Sequence, residues 1–155
     1  MSRQVDLAEK PFDPAELLSR FTRALEGEGA VVSFTGHARN RAKEGSHVEV
    51  LVLESYRGVT LASMEAIAAD ATARFAITRC RVVRRAGRIE PGETIVFVAT
   101  ASPHRRAAFE AADYLMDRLK TEAVFWKHED GPDGRHWVEP TEDDEFDAAC
   151  WRGRG

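Results

Sequence analysis

The segment from residue 80 to residue 119 constrains the fold more than any other part of the chain. It begins with two runs of strand-forming residues, CRVVRRAG and TIVFVATA, joined through RIEPGE, in which Pro-Gly predicts a turn. A helical pattern follows at once, and its apolar positions share one helix face: Ala108, Ala112, Leu115 and Leu119. Short turns between strands favour antiparallel pairing, whereas a doubly wound sheet needs regular alternation of strand and helix. The segment therefore predicts an α+β fold.

Three helices are predicted from periodicity and capping signals. The first spans 12–30, and its start and end are marked by Asp13, Pro14, Glu16, Gly27 and Gly29. The second spans 60–75, with an apolar side formed by Leu61, Met64, Ile67 and Ala68. The third begins at Ser102, predicted as its N-cap, with Pro103 as its first residue.

Further strands are predicted on both sides of these helices. The run AVVSFTG at 30–36 is almost continuously apolar, which predicts a central strand. A second strand is predicted at 47–56, and two more at 123–129 and 135–140 around the turn DGPDG. We therefore expect one α+β domain over 1–140, with a mostly antiparallel sheet and three main helices. Residues 141–155 are predicted to be a tail, with Trp151 as a candidate anchor.

Composition excludes several classes of partner. The net charge is −4, so no overall positive field would attract nucleic acid or an anionic membrane. No apolar run approaches the length of a spanning helix, and the first residues do not resemble a signal peptide. Two cysteines without zinc-ligand spacing, Cys80 and Cys150, predict structural thiols and cytoplasmic residence.

Two arginine-bearing segments are candidate anion sites. Arg39, Asn40 and Arg41 follow the strand AVVSFTG directly, although a basic loop can also be simply solvated. The sequence SPHRR brings His104 and Arg105 to the start of a helix, where the helix dipole disfavours cations unless an anion is bound. Either group could hold a phosphate, and either could be an ordinary solvated surface.

Two lysines interrupt a strong preference for arginine. The chain has only four lysines against eighteen arginines, yet Lys120 and Lys127 lie seven residues apart around Phe125 and Trp126. Lys120 could simply be a solvated residue at the end of the third helix, and Lys127 could be a strand-edge lysine that discourages aggregation. Alternatively, the aromatic residues form a partly dry wall that lowers an ammonium pKa toward the range of general acid–base catalysis. A guanidinium cannot serve that role, because it stays protonated.

The length of the third helix separates these groups. At about 1.5 Å per residue, His104 and Lys120 lie roughly 24 Å apart at its two ends. One chain therefore could not easily bring both to one small molecule. A two-fold dimer with shared sites would meet the requirement.

Common catalytic motifs are missing from the sequence. It contains no GxxxxGK[ST] or GxGxxG loop, no GxSxG nucleophile motif, and no histidine pair at a familiar metal spacing. Two functions other than acid–base catalysis stay open on these residues. One is a non-enzymatic phosphate-binding adaptor domain, and the other is a Schiff-base lysine enzyme acting through Lys120.

Four stretches resemble the large, catalytic subunit of molybdopterin synthase, the MoaE family. They are AVVSFTGHARN, LESYRGVT, GRIEPGETIVFVATASPHRRAAFEAADYLMDRLKTEAVFWKHE and RHWVE, and they cover most of residues 30–140. The resemblance implies that 1–140 is a single catalytic domain with an α/β-hammerhead-like α+β fold, a homodimeric core and no metal or organic cofactor. It also implies a partner, a small ubiquitin-like sulfur carrier with a C-terminal Gly-Gly thiocarboxylate, in a heterotetramer. The implied reaction converts cyclic pyranopterin monophosphate into the dithiolene of molybdopterin.

The resemblance also implies a set of site residues. Lys120 and Lys127 match the two active-site lysines, and Arg39 matches the arginine of the loop. His104 and Arg105 match a pair that the neighbouring subunit contributes. His37 and His128 stand where the family more often has lysine or arginine, so their imidazoles offer less charge at neutral pH. The full implied substrate-binding set is His37, Ala38, Arg39, His104, Arg105, Lys120, Lys127, His128 and Glu129.

Overall fold

The computed structural model describes residues 2–40, 50–54, 57–123, 126–132, 134–138 and 142–152. The strands are β1 (Ser2–Ala8), β2 (Ala30–His37), β3 (Val50–Glu54), β4 (Arg79–Arg85), β5 (Gly87–Ile89), β6 (Thr94–Ser102), β7 (Trp126–Gly131) and β8 (Gly134–Val138). The helices are α1 (Pro14–Arg23), α2 (Arg57–Arg74), α3 (Arg105–Thr121) and α4 (Glu142–Ala149). The predicted α+β class is confirmed. None of the helices in these ranges is long and apolar enough to cross a membrane.

The first sheet has the strand order β1-β4-β6-β2. The predicted pairing across the Pro-Gly turn is confirmed, because β4 and β6 are antiparallel neighbours. The prediction that 30–36 is a central strand is wrong, since among the described strands β2 pairs only with β6 and forms an edge of this sheet. The opposite edge is β1, which pairs in parallel with β4 and was not predicted.

The second sheet is antiparallel and has the order β5-β3-β7-β8. The strands predicted around DGPDG are β7 and β8. The short strand β5 lies in the connection between β4 and β6, so this connection also builds the second sheet. Of the strand predicted at 47–56, the structure describes only β3, because residues 41–49 and 55–56 lie outside the described ranges.

Helices cover both faces of the first sheet. Alternate residues of a strand point to opposite faces, so both faces of an inner strand can be apolar. Val82 and Val98 pack in the cluster that contains the buried residues of α2 and α3. Val83 and Phe97 pack on the other face with Phe21 of α1. The inner strands β4 and β6 therefore support two cores, and the buried stripe predicted for α3 faces the larger one.

The helix boundaries differ from the predictions in ways that affect the site. Asp13 does cap α1 by accepting the backbone N–H of Ala15, but the helix ends at Arg23, before the glycine at position 27. Ser102 does not cap α3. It is the last residue of β6, its hydroxyl donates to the carbonyl of His104, and α3 begins only at Arg105.

Residues 142–149 form a helix, α4, in the segment predicted to be a tail. Its first turn carries four acidic residues, which suit the positive end of the helix dipole. The anchoring role predicted for Trp151 agrees with the structure, because its side chain is buried edge-on against Phe75 and Tyr114. Arg74 lies over the same rings and donates to the Trp151 carbonyl at 2.6 Å. These contacts hold the end of the chain against α2 and α3.

Replacing Trp151 with alanine is expected to detach α4. The loss of a buried aromatic side chain costs about 3–5 kcal/mol in a well-packed site. Urea unfolding should report a loss of about 3 kcal/mol, and the α4 amides should exchange faster with solvent. The matched control is Phe146→Ala in the same helix, where the side chain is 71% exposed. Equal losses for the two variants would contradict the anchoring role.

Glu28 ties the entry of β2 to the start of β4, and it predicts an acid-dependent stability. Hydrogen bonds from the Glu26 backbone N–H and from the Thr78 hydroxyl lower the pKa of Glu28 from 4.5 to about 2. A lowered pKa in the folded state stabilises the protein above pH 4.5, and this contribution is lost as the pH falls toward 2. The unfolding free energy of Glu28→Gln should therefore approach that of the unmodified protein in this window. Glu26→Gln serves as the control, and a constant difference across the window would refute the expectation.

Candidate functional site

The end of β2 places His37, Ala38 and Arg39 at a bend. A Cβ on Gly36 would lie 2.7 Å from a methyl group of Val96, so any side chain here would force the buried Val96 to shift. The register then shifts between Gly36 and His37. The hydroxyl of Thr94 lies 3.4 Å from Nδ1 of the exposed His37. The strand therefore ends in a bulge that turns the next residues out of the sheet.

Ala38 fixes the position of Arg39. The Ala38 N–H donates to the carbonyl of Glu93 at 2.9 Å, and the Ala38 carbonyl accepts from Gly92 at 2.8 Å. Its methyl group is buried with Leu51, Leu53 and other apolar residues of the second sheet. Arg39 itself is exposed and makes no hydrogen bond or ion pair with any described residue. Arg41 of the same predicted group lies outside the described ranges.

The start of α3 presents His104 and Arg105 to solvent. His104 is the N-cap residue, and its side chain makes no capping hydrogen bond. A Cβ on Gly29 would lie 2.8 Å from the carbonyl oxygen of Pro103, so a glycine is needed where β2 begins beside this turn. The first backbone N–H groups of α3 and the exposed side chains of His104 and Arg105 lie together at this end. The combination is suited to an anionic ligand.

The other end of α3 carries Lys120. Leu119 is buried, and its carbonyl accepts a hydrogen bond from Arg84 of β4 at 3.2 Å. Burial lowers the pKa of Arg84 to about 10, so its guanidinium stays charged at neutral pH. The Lys120 side chain is half exposed, and its Nζ lies 3.3 Å from Oδ1 of Asp144 in α4. The amine therefore lies at a fixed helix end, in an ion pair with Asp144.

Asp117 connects this end of α3 to the buried Trp151. The Trp151 indole N–H donates to Oδ2 of Asp117 at 2.7 Å. Burial raises the pKa of Asp117, in opposition to that hydrogen bond, and the nearby carboxylates Asp113 and Asp147 add to the increase. Lys120 acts in the opposite direction. The lysine thus belongs to an otherwise acidic surface formed by α3 and α4.

Lys127, His128 and Glu129 lie on β7, the strand beside β3. The backbone of Lys127 is opposite Leu53, that of His128 is opposite Val52, and that of Glu129 is opposite Leu51. The Lys127 and His128 side chains lie outside what the structure describes, as do the predicted aromatic wall residue Phe125 and the side chain of Trp126. Glu129 is partly buried.

Strand β4 supports two of the predicted segments, from its two opposite faces. Arg84 holds the lysine end of α3, and Arg85 holds Glu93 beside Ala38. Ala38 belongs to the same buried cluster as Leu53, whose backbone lies opposite Lys127 on β7. His104 and Arg105 are at the far end of α3, roughly 24 Å from Lys120 along the helix.

Sequence reasoning missed Asp144 and Arg84. The acidic run at 142–145 was visible in the sequence, but nothing in it indicated that α4 packs beside Lys120. The contact of Arg84 with α3 was not predicted, because an arginine in a strand ordinarily lies on a solvated face. Within the described residues, no group of three or more histidine, cysteine or acidic side chains is arranged to hold a metal ion.

Comparisons with known proteins identify the family. A family model described as MoaE protein matches residues 7–122. The molybdopterin synthase catalytic subunit of Caulobacter vibrioides is 51% identical over 147 residues, covering 95% of this chain and 96% of that protein. The solved MoaE protein from Burkholderia ambifaria is 36% identical, with a TM-score of 0.74 and 97% of each chain covered.

A third comparison concerns the fold alone. A solved protein–protein complex of subunits 1 and 2 of molybdopterin-converting factor from Helicobacter pylori contains a chain with 17% identity and a TM-score of 0.72. The match covers 86% of this chain and 89% of that one. The family model matches most of the chain, and a relative that is 51% identical matches nearly all of it. This chain therefore belongs to the MoaE family.

Proposed function

We propose that this chain is the catalytic subunit of a molybdopterin synthase. In this reaction sulfur passes from the thiocarboxylated C-terminus of a small ubiquitin-like carrier to cyclic pyranopterin monophosphate, giving the dithiolene of molybdopterin. The observation that carries the proposal is the pair of supports on β4. Arg84 fixes the helix end that carries Lys120, and Arg85 with Glu93 fixes the segment that carries the exposed Arg39.

Arg39 would bind the phosphate of the substrate. Its side chain is exposed and uncommitted among the described residues, while its backbone neighbours are fixed by the 90–93 turn. A guanidinium binds phosphate through two parallel charge-assisted hydrogen bonds. His37, held near Thr94, would add a hydrogen bond with less charge. The segment therefore supplies substrate binding, and the chemistry belongs to the lysines.

Lys120 would act as general acid–base and as an electrostatic stabiliser. The thiocarboxylate sulfur bonds to a carbon of the pterin side chain as a C–O bond to that carbon breaks, and water then hydrolyses the resulting thioester to the carrier carboxylate. Protons and negative charge must therefore move at both centres. An amine can exchange a proton in this role, and a guanidinium cannot. The exposed ion pair with Asp144 is worth at most about 1 kcal/mol, so substrate can readily replace it. Lys127 would hold substrate and neutralise developing charge.

Two protomers would complete each site. His104 and Arg105 are too far from Lys120 of their own chain to contact the same small molecule. We propose that they reach the phosphate in the site of a second protomer, within a homodimer that binds two carriers as a heterotetramer. The two-subunit complex from Helicobacter pylori is the kind of assembly intended. Nothing in the described residues or the charge balance favours nucleic acid or membrane as a further partner.

Cytoplasmic residence is part of the proposal. Both cysteines are free, and burial raises the pKa of Cys80 to about 12, so its thiol is inert. Cys150 is exposed and free, which a reducing compartment permits.

The decisive experiment supplies the purified chain with thiocarboxylated carrier and cyclic pyranopterin monophosphate. Dithiolene product, detected after oxidation to a fluorescent pterin, is the expected result. Binding of substrate without product would favour a phosphate-binding adaptor domain. Covalent trapping of a carbonyl substrate on Lys120 by borohydride would favour Schiff-base chemistry instead.

A further inference from the structure

Arg85 is a buried cation that the proposed reaction does not use. Its side chain is 3% exposed, and Nη1 donates to Oε2 of Glu93 at 2.6 Å. Nη2 donates to the carbonyl of Arg88 at 2.9 Å. A buried ion pair is poor evidence for stability by itself, because desolvation offsets much of the attraction. The planar guanidinium of Arg85 donates to two acceptors in a fixed geometry, which a lysine amine could not do.

The partner of Arg85 organises the 90–93 turn. The second carboxylate oxygen of Glu93 accepts the backbone N–H of Glu90 at 3.2 Å, and the Glu93 N–H donates to the Glu90 carbonyl at 3.1 Å. Gly92 has φ +89°, a conformation that favours glycine. The Glu93 carboxylate thus stabilises the 90–93 turn internally and also bonds the turn to Arg85 of β4.

The 90–93 turn also holds the segment that carries Arg39. Both backbone polar groups of Ala38 are bonded to the turn, one to the Glu93 carbonyl and one to the Gly92 N–H. A shift of the turn would therefore move the Cα of the next residue, Arg39. The bonds run without interruption from the Arg85 guanidinium through Glu93 to Ala38.

We propose that Arg85 is a positioning residue that fixes Arg39 for substrate binding by holding the 90–93 turn. This rests on the proposed function, since Arg39 is taken to bind the substrate phosphate. Arg85 touches no substrate in this scheme, and its effect passes entirely through the turn. It should therefore affect binding of the pterin substrate and leave the chemistry at Lys120 almost unchanged.

The test uses Arg85→Lys in the full chain with saturating carrier. The variant keeps the positive charge but lacks the two donor nitrogens of the guanidinium. One of the two hydrogen bonds, to Glu93 or to the Arg88 carbonyl, is therefore broken. We expect KM for the pterin substrate to rise about tenfold and kcat to stay within about twofold. In an Arg39→Ala background the same substitution should change KM by less than about twofold, because the residue through which it acts is gone. An equal change of KM in both backgrounds would overturn the proposal.

A second measurement does not depend on activity. Amide hydrogen exchange of Ala38 and Gly92 in the protein without substrate should be at least about tenfold faster in Arg85→Lys. Unchanged exchange would overturn the positioning role whatever the kinetics show. If the unmodified protein makes no product, the proposed function fails, while the exchange rates still decide whether Arg85 holds the turn.

Arg81→Lys is the matched control. Arg81 lies on the same strand and pairs with Asp6 at 2.7 Å, away from the turn. It should change neither KM nor the exchange of Ala38 and Gly92. A response in this control equal to that of Arg85→Lys would show a general effect of weakening β4 and would also overturn the proposal.

Discussion

Lys120→Ala is expected to abolish product formation while leaving the fold intact. Loss of a general acid–base group lowers the rate by about 10²–10⁴-fold. The side chain is half exposed and its ion pair with Asp144 lies at the surface, so the unfolding free energy should change by less than about 1 kcal/mol. Single-turnover formation of the dithiolene measures the first effect, and urea unfolding measures the second.

Lys120→Arg separates proton transfer from charge. The substitution keeps a cation at the end of α3 but replaces an amine, which can exchange a proton, with a guanidinium, which stays protonated. It should therefore fail almost as completely as alanine. Lys10→Ala is the control, because Lys10 is an exposed lysine in the connection before α1. Substantial turnover by Lys120→Arg would show that the lysine supplies charge alone.

Two inactive variants are expected to restore activity when they share a dimer. In a mixed dimer of Lys120→Ala and Arg105→Ala, one shared site carries both substitutions and the other carries neither. An isolated mixed dimer should therefore show about half of the unmodified activity, although each parent homodimer is nearly inactive. Differently tagged protomers, co-expressed and purified on both tags, allow the measurement.

A second mixture supplies the control for this experiment. Arg39 and Lys120 belong to the same protomer's part of the site, so a dimer of Arg39→Ala with Lys120→Ala has one substitution in each site. No activity should return in that mixture. Recovery there, or none with Arg105→Ala, would contradict the shared arrangement, as would a fully active monomer.

Patterns with strong local periodicity were predicted correctly from the sequence. The buried stripe of α3 and the apolar side of α2 follow from helical spacing alone, and the β4–β6 pair follows from a turn between two apolar runs. In each case the local pattern and the tertiary packing agree. Local preference is then enough to predict the element.

Tertiary packing explains the predictions that failed. The run AVVSFTG is as apolar as a central strand, yet β2 is an edge strand on which Phe34 is 44% exposed. In β1 only Leu7 is buried, so its seven residues show no clear alternation. Ser102 has the local sequence of a helix cap, but the ladder with β2 extends to it and delays the start of α3.

The residues of the candidate site stay a prediction from the sequence, and the structure adds the residues that support them. The lysine at position 120, in a chain that prefers arginine, is the pattern on which that prediction depends. The buried arginines of β4 and the turn that grips Ala38 involve residues far apart in the chain, and only the folded structure brings them together.

The contact between Lys120 and Asp144 couples the attachment of α4 to the charge and the contacts of the Lys120 amine. Any event that neutralises or recruits the amine weakens attachment of α4, and release of α4 affects the amine by the same free energy. An exposed pair limits this linkage to about 1 kcal/mol, or roughly a fivefold change in population. The C-terminal helix can therefore modulate turnover gently, while its hold on the protein comes from the tryptophan.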